Sequence, residues 1–130
     1  MFEKLDLFQM ASAMATHAGT RQAVVAENIA NADTPGYRAR DVVPFSALVS
    51  HEAGGFHTRA SRDGHLHGQR DSLVPEIVEA TVSEANPNDN EVTLEDEMLK
   101  AVEVKRQHDR ALAIYRSGLN ILRTSLGRGA

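Results

Sequence analysis

The chain contains no cysteine and no tryptophan, and its 130 residues include only two Tyr and four Phe. Without cysteine, a disulfide framework, a cysteine-ligated zinc site and thiol catalysis are all excluded. Because large aromatic side chains are scarce, the core must be built mainly from Leu, Ile, Val, Met and Ala. At this length we expect one modest domain.

Long apolar runs and blocks of basic residues are missing as well. No run approaches the ~18 apolar residues of a membrane span, and charges interrupt the segment from Met1 to Leu7 before the apolar stretch of a signal peptide can form. The 14 basic side chains are outnumbered by 18 acidic ones, with no Lys/Arg block of five or more. We therefore expect no nucleic-acid partner, no membrane insertion and no Sec-type export.

The N-terminal third does contain a helical repeat of apolar residues. Spacings of three and four alternate from Phe8 to Ala32, and only Gln22 interrupts them. The apolar positions are Phe8, Ala11, Ala15, Ala18, Val25, Ile29 and Ala32. This repeat predicts a helix from Leu5 to Ala32, whose small side chains allow a partner helix to approach closely.

A turn is predicted directly after this helix, at residues 33–37, Asp-Thr-Pro-Gly-Tyr. Pro35 has no N–H for a helical hydrogen bond and disfavours the α conformation at Thr34. Pro35 and Gly36 suit the two central positions of a type II turn, in which the glycine takes a positive φ. We assign residues 1–37 to an N-terminal helix and turn.

The middle region, residues 38–92, holds three of the four prolines. The pairs Leu73-Val74 and Ile77-Val78 predict short strands. The stretch from Glu52 to Gln69 is rich in Gly, His and Arg and predicts a mobile surface loop. Residues 86–90, Asn-Pro-Asn-Asp-Asn, predict a turn at the boundary of the next element.

The strongest helix signal begins at Thr93 and defines the last segment, residues 93–130. The sequence Thr93-Leu94-Glu95-Asp96 is typical of a capping box, and acids in the first turn favour the positive end of the helix dipole. Steps of four and three select ten positions, of which eight are apolar, whereas the 42% background predicts about four. These positions are Leu94, Met98, Ala101, Lys105, His108, Leu112, Tyr115, Leu119, Leu122 and Leu126.

A second apolar stripe runs beside this seam, one residue earlier at each step. Its members are Ala111, Ile114, Gly118 and Ile121. Since burial of one Leu or Ile side chain stabilises by roughly 1.5 to 3 kcal/mol, a surplus stripe favours association with further chains. The alternative is that a third element from the middle region covers it in a monomeric bundle.

Together these patterns predict a mainly α fold. Long N- and C-terminal heptad helices form a coiled-coil-like pair, and the middle is an irregular region of loops and short β structure. The two termini form a single domain, and they pair as an antiparallel or crossing couple.

Signals for chemistry are weak. His65-Leu66-His67, with His51 and His57, is compatible with metal ligation, but exposed loop histidines are far commoner than metal sites. The acids from Glu84 to Glu97 lack the spacing of an EF-hand, so helix capping and a solvated face explain them better. Neither a P-loop nor a Gly-x-Ser-x-Gly motif occurs. We predict no enzymatic activity, no cofactor, and no catalytic, cofactor or metal site.

Polar residues on the C-terminal helix have structural interpretations. His108 lies on the predicted seam, where a polar side chain fixes register more often than it binds a ligand. Five arginines lie beside the seams: Arg106, Arg110, Arg116, Arg123 and Arg128. They form either a solvated face or ion pairs with acids of neighbouring subunits.

Residues 26–38, Ala-Glu-Asn-Ile-Ala-Asn-Ala-Asp-Thr-Pro-Gly-Tyr-Arg, closely resemble the N-terminal signature of bacterial flagellar axial proteins, the rod, hook and hook-associated family. The short length, residues 88–98 and residues 115–122 are most similar to the rod members of this family. The resemblance covers both ends of the chain, and the middle carries no signature.

The resemblance implies a non-enzymatic structural subunit of the proximal flagellar basal-body rod, the torque-transmitting drive shaft that crosses the periplasm. It implies self-association and contacts with other rod subunits and with rod-base and export-gate proteins. It also implies type III export without a cleaved signal peptide. The alternatives are another short rod protein and a cytosolic helical adaptor or export chaperone.

The same resemblance implies which residues matter for assembly. Asn28, Asn31, Pro35, Gly36 and Tyr37 would shape the exit from the N-terminal helix, and the two amides would bond backbone groups near its end. On the C-terminal helix the implied residues bury either against the N-terminal helix or against neighbouring subunits. They are Leu112, Tyr115, Leu119, Leu122 and Leu126.

Overall fold

The computed structural model describes residues 2–53, 73–80 and 89–127, without the side chains of residues 2–5 and 51–53. Two long helices, α1 (Phe2–Ala30) and α3 (Leu94–Gly127), make up most of it. Strand β1 (Arg40–Val42), helix α2 (Phe45–Ala53) and strand β2 (Ile77–Glu79) lie between them in the chain. This architecture confirms the predicted mainly α fold with long terminal helices and a short β element in the middle.

Helices α1 and α3 pack against each other in opposite directions. Near the start of α1, the ring of Phe8 meets that of Tyr115 late in α3, with centroids 5.2 Å apart. Near the end of α1, Asn28 reaches Glu97 in the first turn of α3. Contacts between early residues of one helix and late residues of the other define an antiparallel pair.

The buried apolar core of the described residues consists entirely of alanine and valine. Its members are Ala11, Ala18, Val24, Val25, Ala39, Val42, Val92, Val104 and Ala111. Such small side chains allow the two helix backbones to approach closely, but each buries little apolar area. Consequently the larger apolar side chains remain outside this core.

The predicted seam of α1 is correct in part. Three of its positions are buried, namely Ala11, Ala18 and Val25. The prediction is wrong at Ile29, which is exposed, and at Ala32, which lies beyond the end of the helix. Arg21 and Asn28 lie on the inner side instead, because partners from β1 and α3 bind their polar groups there.

The α3 seam that packs against α1 is displaced by one residue from the predicted one. The buried α3 residues recur every seven positions and are Glu97, Val104, Ala111 and Gly118. Two of them, Ala111 and Gly118, belong to the predicted second stripe, whereas Met98 and Leu126 of the predicted seam are 59% and 78% exposed. The physical reason is helix spacing, since small residues at the contact permit a closer approach than Leu or Met.

The turn after α1 has the predicted geometry. Tyr37 N–H donates to the Thr34 carbonyl at 3.3 Å, and Gly36 has φ = +70°. A hydrogen bond across four residues with a left-handed third residue fits a type II turn. The helix itself ends at Ala30, two residues before the predicted end.

Helix α3 begins where the sequence predicted. Thr93 lies immediately before the first helical residue, Leu94, and its carbonyl accepts the first helical hydrogen bond, from Glu97 N–H at 3.1 Å. Thr93 is therefore the N-cap residue.

The two strands form a small antiparallel sheet in which Arg40 pairs with Glu79 and Val42 with Ile77. The strand predicted at Ile77-Val78 is confirmed, whereas the one predicted at Leu73-Val74 is wrong, since those residues are not in a strand. Val43 N–H extends the pairing by donating to the Glu76 carbonyl at 2.9 Å.

Helix α2 was not predicted. Glu52 and Ala53 are helical and do not belong to the predicted loop, while the remainder of that loop lies outside the described residues. So do His57, His65 and His67, and so does most of the turn predicted at 86–90. None of the described helices combines the length and apolar character needed to cross a membrane.

Candidate assembly site

Asn28 is fully buried and uses its side-chain amide to join three segments. Its Nδ2 donates to the Arg40 carbonyl at 2.7 Å and to Glu97 Oε2 at 3.1 Å. Its Oδ1 accepts from Arg40 N–H at 3.1 Å and from the Tyr37 hydroxyl at 3.3 Å. One side chain therefore satisfies both backbone groups of Arg40 and fixes β1 between α1 and α3.

Asn31 organises the turn that contains Pro35 and Gly36. Its Nδ2 donates to the Glu27 carbonyl at 2.9 Å, which caps a backbone group near the end of α1. Its Oδ1 accepts from the Thr34 hydroxyl at 3.2 Å. Both bonds stay inside the helix end and the turn, whereas Asn28 bonds across to other elements.

A second buried asparagine, Asn90, ties this turn to the start of α3. Its Nδ2 donates to the carbonyls of Asn31 at 2.9 Å and Thr34 at 2.6 Å. Its Oδ1 accepts from Val92 N–H at 2.7 Å. The turn after α1 and the segment leading into α3 are thus held together by side-chain amides.

An ion-pair network continues the polar contacts along the helix pair. Arg21 Nε lies 2.9 Å from Asp41 Oδ1, and Arg21 Nη1 lies 3.6 Å from Glu103 Oε2. Lys100 Nζ lies 2.8 Å from Glu97 Oε1 and 3.9 Å from Asp41 Oδ2. The network joins α1, β1 and α3 through charged groups that are mostly shielded from solvent.

The surroundings of Asp41 favour its charged form. Burial by itself raises the pKa of this carboxyl, but the hydrogen bonds from Arg21 and from Val42 N–H, with the charges of Arg21 and Lys100, outweigh that effect. The pKa of Asp41 is therefore below its ordinary value. Burial works against the charge of Arg21 too, yet Asp41 and Glu103 raise its pKa overall.

His17 fastens the segment between β1 and α2 to α1. The side chain is buried, its Nε2 lies 2.7 Å from the Val43 carbonyl, and its ring meets that of Phe45 edge-on at 5.5 Å. Because the carbonyl only accepts, Nε2 carries the proton in this bond.

The polar network also lines an open cleft between α1, β1, β2 and α3, with Arg21, Asp41 and Lys100 among its walls. These charged groups are already bonded to one another. Among the described residues, no buried side-chain polar atom lacks a partner and no group of three or more metal-ligating side chains occurs. The arrangement thus holds elements together, and in the described part every buried side-chain donor or acceptor is already bonded within the protein.

Several of these residues escaped the sequence analysis. Glu97 was placed on a solvated face with its acidic neighbours, and this is wrong, since it is only 2% exposed. Arg21 and Asn28 carry a detectable signal, because a spacing of seven places them on the same side of α1 as Met14. Asp41 and His17 carry none, since their partners are distant in sequence.

The five C-terminal candidate residues do not share one environment. Leu112 and Leu122 are half-buried, whereas Tyr115, Leu119 and Leu126 are exposed by 41%, 36% and 78%. The ring of Tyr115 contacts that of Phe8 of α1. His108, the residue expected to fix register, is half-buried.

Comparison with known proteins identifies the family. Residues 10–38, which include the α1 segment from Met10 and the turn through Tyr37, match the family described as flagella basal body rod protein. A curated relative, the flagellar basal body rod protein FlgB of Agrobacterium fabrum (strain C58 / ATCC 33970), is 33% identical over 121 residues, and the match covers 88% of each chain. This chain belongs to the FlgB family of flagellar basal body rod proteins.

The range that matches the rod-protein family includes polar residues that bond at the end of α1. The matched range holds Asn28, Asn31, Pro35, Gly36 and Tyr37, the residues that shape the exit from α1. The adaptor and export-chaperone alternatives are not favoured, because the relative that is similar over most of the chain is a flagellar rod protein.

Proposed function

We propose that this chain is a structural subunit of the proximal part of the flagellar basal-body rod, where it transmits torque as part of the drive shaft. The observation that carries the proposal is its similarity to a FlgB protein over 88% of both chains. We infer that its terminal helices supply the contacts between subunits.

The distribution of side chains on the helix pair supports an assembling subunit. Apart from the Phe8–Tyr115 ring contact, the contact between α1 and α3 is made largely by alanine, valine, glycine and polar residues, and larger apolar side chains of α3 remain exposed. These are Leu94, Met98, Leu99, Val102, Tyr115, Leu119, Ile121 and Leu126. Since an exposed apolar surface of this kind marks interaction sites, we infer that other chains cover it in the rod.

We further propose a non-enzymatic role. The charged side chains that cluster between α1, β1 and α3 bond to one another and to backbone groups. Such bonds suit a part that must stay rigid under load. Other rod subunits and the rod-base and export-gate proteins are the proposed partners, with export across the inner membrane by the flagellar type III apparatus and no cleaved signal peptide.

Deletion of the gene in its source bacterium tests the proposal. We expect cells without basal-body rods that cannot swim, and restoration of both by the wild-type chain supplied from a plasmid. Electron micrographs of purified basal bodies provide the readout for the rod itself. Cells that swim and build normal rods without this chain would contradict the proposal.

A further inference from the structure

One strip of the α3 surface combines apolar residues with charges that change sign along the helix. It comprises two lines of residues, each with a spacing of seven, separated by three and four positions. The first line is Glu95, Val102, Asp109, Arg116 and Arg123, and the second is Met98, Lys105, Leu112, Leu119 and Leu126. We call these ten residues the outer seam.

The outer seam is accessible. All of its members are exposed except Leu112, which is half-buried. The residues that pack on α1, from Glu97 to Gly118, form a different line with the same spacing. A spacing of seven with apolar members is the pattern of a coiled-coil contact, so α3 carries one such seam for α1 and a second that α1 does not cover.

The charges divide the outer seam into two ends. At its start the outer seam carries the acid Glu95. The described segment 89–96 around it has no basic residue and three further acids that lie outside the seam, Asp89, Glu91 and Asp96. At its end the seam carries Arg116 and Arg123, and residues 110–127 contain no acid and one further arginine outside the seam, Arg110. In the middle, Lys105 and Asp109 neutralise each other at 3.0 Å.

Among the described residues, the end charges of the seam, Glu95, Arg116 and Arg123, take part in no ion pair. The acidic and apolar start of the seam therefore complements the basic and apolar end, but both lie on the same rigid helix. Only the seam of another molecule brings the two ends into contact.

We propose that the outer seam binds a second copy of this chain in a parallel, staggered arrangement, in which the start of one α3 lies along the end of the next. A stagger of three heptads, or roughly 32 Å at 1.5 Å per residue, preserves the spacing of seven. It places Glu95 beside Arg116 of the second copy and Met98 beside its Leu119. This proposal rests on the proposed function and specifies which surface joins neighbouring copies in the rod.

In such a contact the start of one outer seam meets the end of another. The first and last copies of the assembly therefore each keep one unoccupied half of the seam. Heterologous contacts of this kind generate open helical assemblies, whereas a contact between identical surfaces closes as a dimer. A reversed neighbour in full overlap would also place Glu95 near the arginines at the end of the other seam, but that pair closes as a dimer, so cross-linking beyond the dimer distinguishes the two arrangements.

Cysteine cross-linking in assembled basal bodies tests the proposal directly, since the native chain has no cysteine. We expect the double variant Met98→Cys/Leu119→Cys, treated with a short bis-maleimide, to give dimers and larger multimers of this chain. The two sites are too far apart on one helix to be joined within a molecule. Each single variant is expected to give none, because the contact pairs two different positions.

The matched control is Met98→Cys/Ile121→Cys. Ile121 is exposed like Leu119 but lies on another side of α3, so we expect no multimers from this pair. A Met98→Cys/Leu119→Cys chain that gives no species larger than a dimer, or dimers from either single variant, would overturn the proposal. If the chain itself is missing from the basal bodies, the proposed function fails; if it is present but uncross-linked, only the outer-seam contact fails.

A charge exchange provides an independent measurement in living cells. We expect Glu95→Arg and Arg116→Glu each to abolish swimming when present alone, because like charges then meet at every contact. Co-expression of the two variants is expected to restore swimming, since alternating copies pair opposite charges throughout. The arrangement would be contradicted if cells that co-express the two folded variants do not swim. Normal swimming with either variant alone would contradict it as well.

Matched controls separate this effect from damage to the helix. Asp96→Arg changes the same charge in the same first turn, and Arg110→Glu does so in the basic half, but both residues are exposed and lie outside the outer seam. Both controls are expected to swim. Loss of swimming in these controls equal to that of the seam variants would show that helix charge, and not the seam, is responsible.

Discussion

At the scale of single residues, buried amides replace the large apolar side chains that hold most small domains together. Asn28 bonds both backbone groups of Arg40, the Tyr37 hydroxyl and the Glu97 carboxylate. Asn90 donates to the carbonyls of Asn31 and Thr34 in the turn after α1. Because the apolar core of the described residues is only alanine and valine, these bonds determine how the end of α1 meets the start of α3.

Asn28→Ala is expected to lower the free energy of unfolding by about 2–4 kcal/mol, because it leaves several buried polar groups without partners. Urea denaturation followed by circular dichroism measures the change. The control is Asn120→Ala, at an exposed position of α3, which should change stability by less than about 0.5 kcal/mol. Equal stability of Asn28→Ala and the wild type would contradict the importance of this amide.

Asp41→Asn is expected to lower stability at neutral pH by about 1.5–3 kcal/mol, the contribution of hydrogen bonds to a charged group. Because folding lowers the pKa of Asp41, its contribution is complete above the unfolded pKa of about 3.9 and is lost as pH falls through the folded value. The difference between variant and wild type should therefore be constant from pH 7 to about pH 5 and shrink below about pH 4. Urea denaturation at several pH values tests this, and a difference that grows on acidification would contradict it.

Residue-level prediction from sequence succeeded where the cause was local. Pro35 and Gly36 determine their own turn, and the backbone follows the expected geometry. It failed for Glu97, because an acid in the first turn of a helix has a sufficient local explanation. Its burial depends on packing against α1, where the buried amide of Asn28 donates to the carboxylate, and that contact is distant in sequence.

At the scale of elements, close packing of α1 on α3 depends on small residues such as Ala111 and Gly118 in the buried line of α3. A Cβ built on Gly118 would lie 3.0 Å from Cζ of Phe8, so this position tolerates nothing larger without displacing the ring. Gly19 contrasts with it, because no atom lies within 4 Å of the corresponding position.

Gly118→Leu is expected to destabilise the chain by about 1–3 kcal/mol, as overpacked substitutions do. Gly19→Ala, in an exposed helix interior, is expected to stabilise it by about 0.5–1 kcal/mol through helix propensity alone. Thermal unfolding of both variants and the wild type measures the two changes in stability. A Gly118→Leu chain as stable as the wild type would show that α1 and α3 are not held closely at this point.

Element-level prediction found both long helices but displaced the α3 seam by one residue. The apolar heptad pattern favours Met98 and Leu119 because they are large and apolar, whereas close helix packing favours Ala111 and Gly118 because they are small. Helix α2 was missed because it has only nine residues. A helix this short depends on tertiary contacts, which leave little periodic signal in the sequence.

At the scale of the whole molecule, the helix pair presents its large apolar residues outward. In the monomer, Leu126 and Leu99 are 78% and 70% exposed, so their side chains add little stabilisation by burial. A rod subunit gains contact area when neighbours cover them, so the features that weaken the isolated chain strengthen the assembly.

Leu119→Asp is expected to abolish swimming and rod assembly while leaving the isolated chain folded. Leu119 is 36% exposed, and surface substitutions change stability by about 0.5 kcal/mol or less. Soft-agar motility and circular dichroism of the purified variant give the two readouts. The control is Ser117→Asp, also exposed on α3, which should swim. Normal swimming of Leu119→Asp would contradict a role for this surface in assembly.

The central claim is that this chain is a structural part of the flagellar rod. Quantitative mass spectrometry of purified hook-basal-body complexes from the source bacterium tests it most directly. Our account predicts that this chain is present at a small, fixed number of copies per basal body, in constant ratio to the other rod proteins. Its absence from these complexes, together with abundance in the cytosol, would contradict the account.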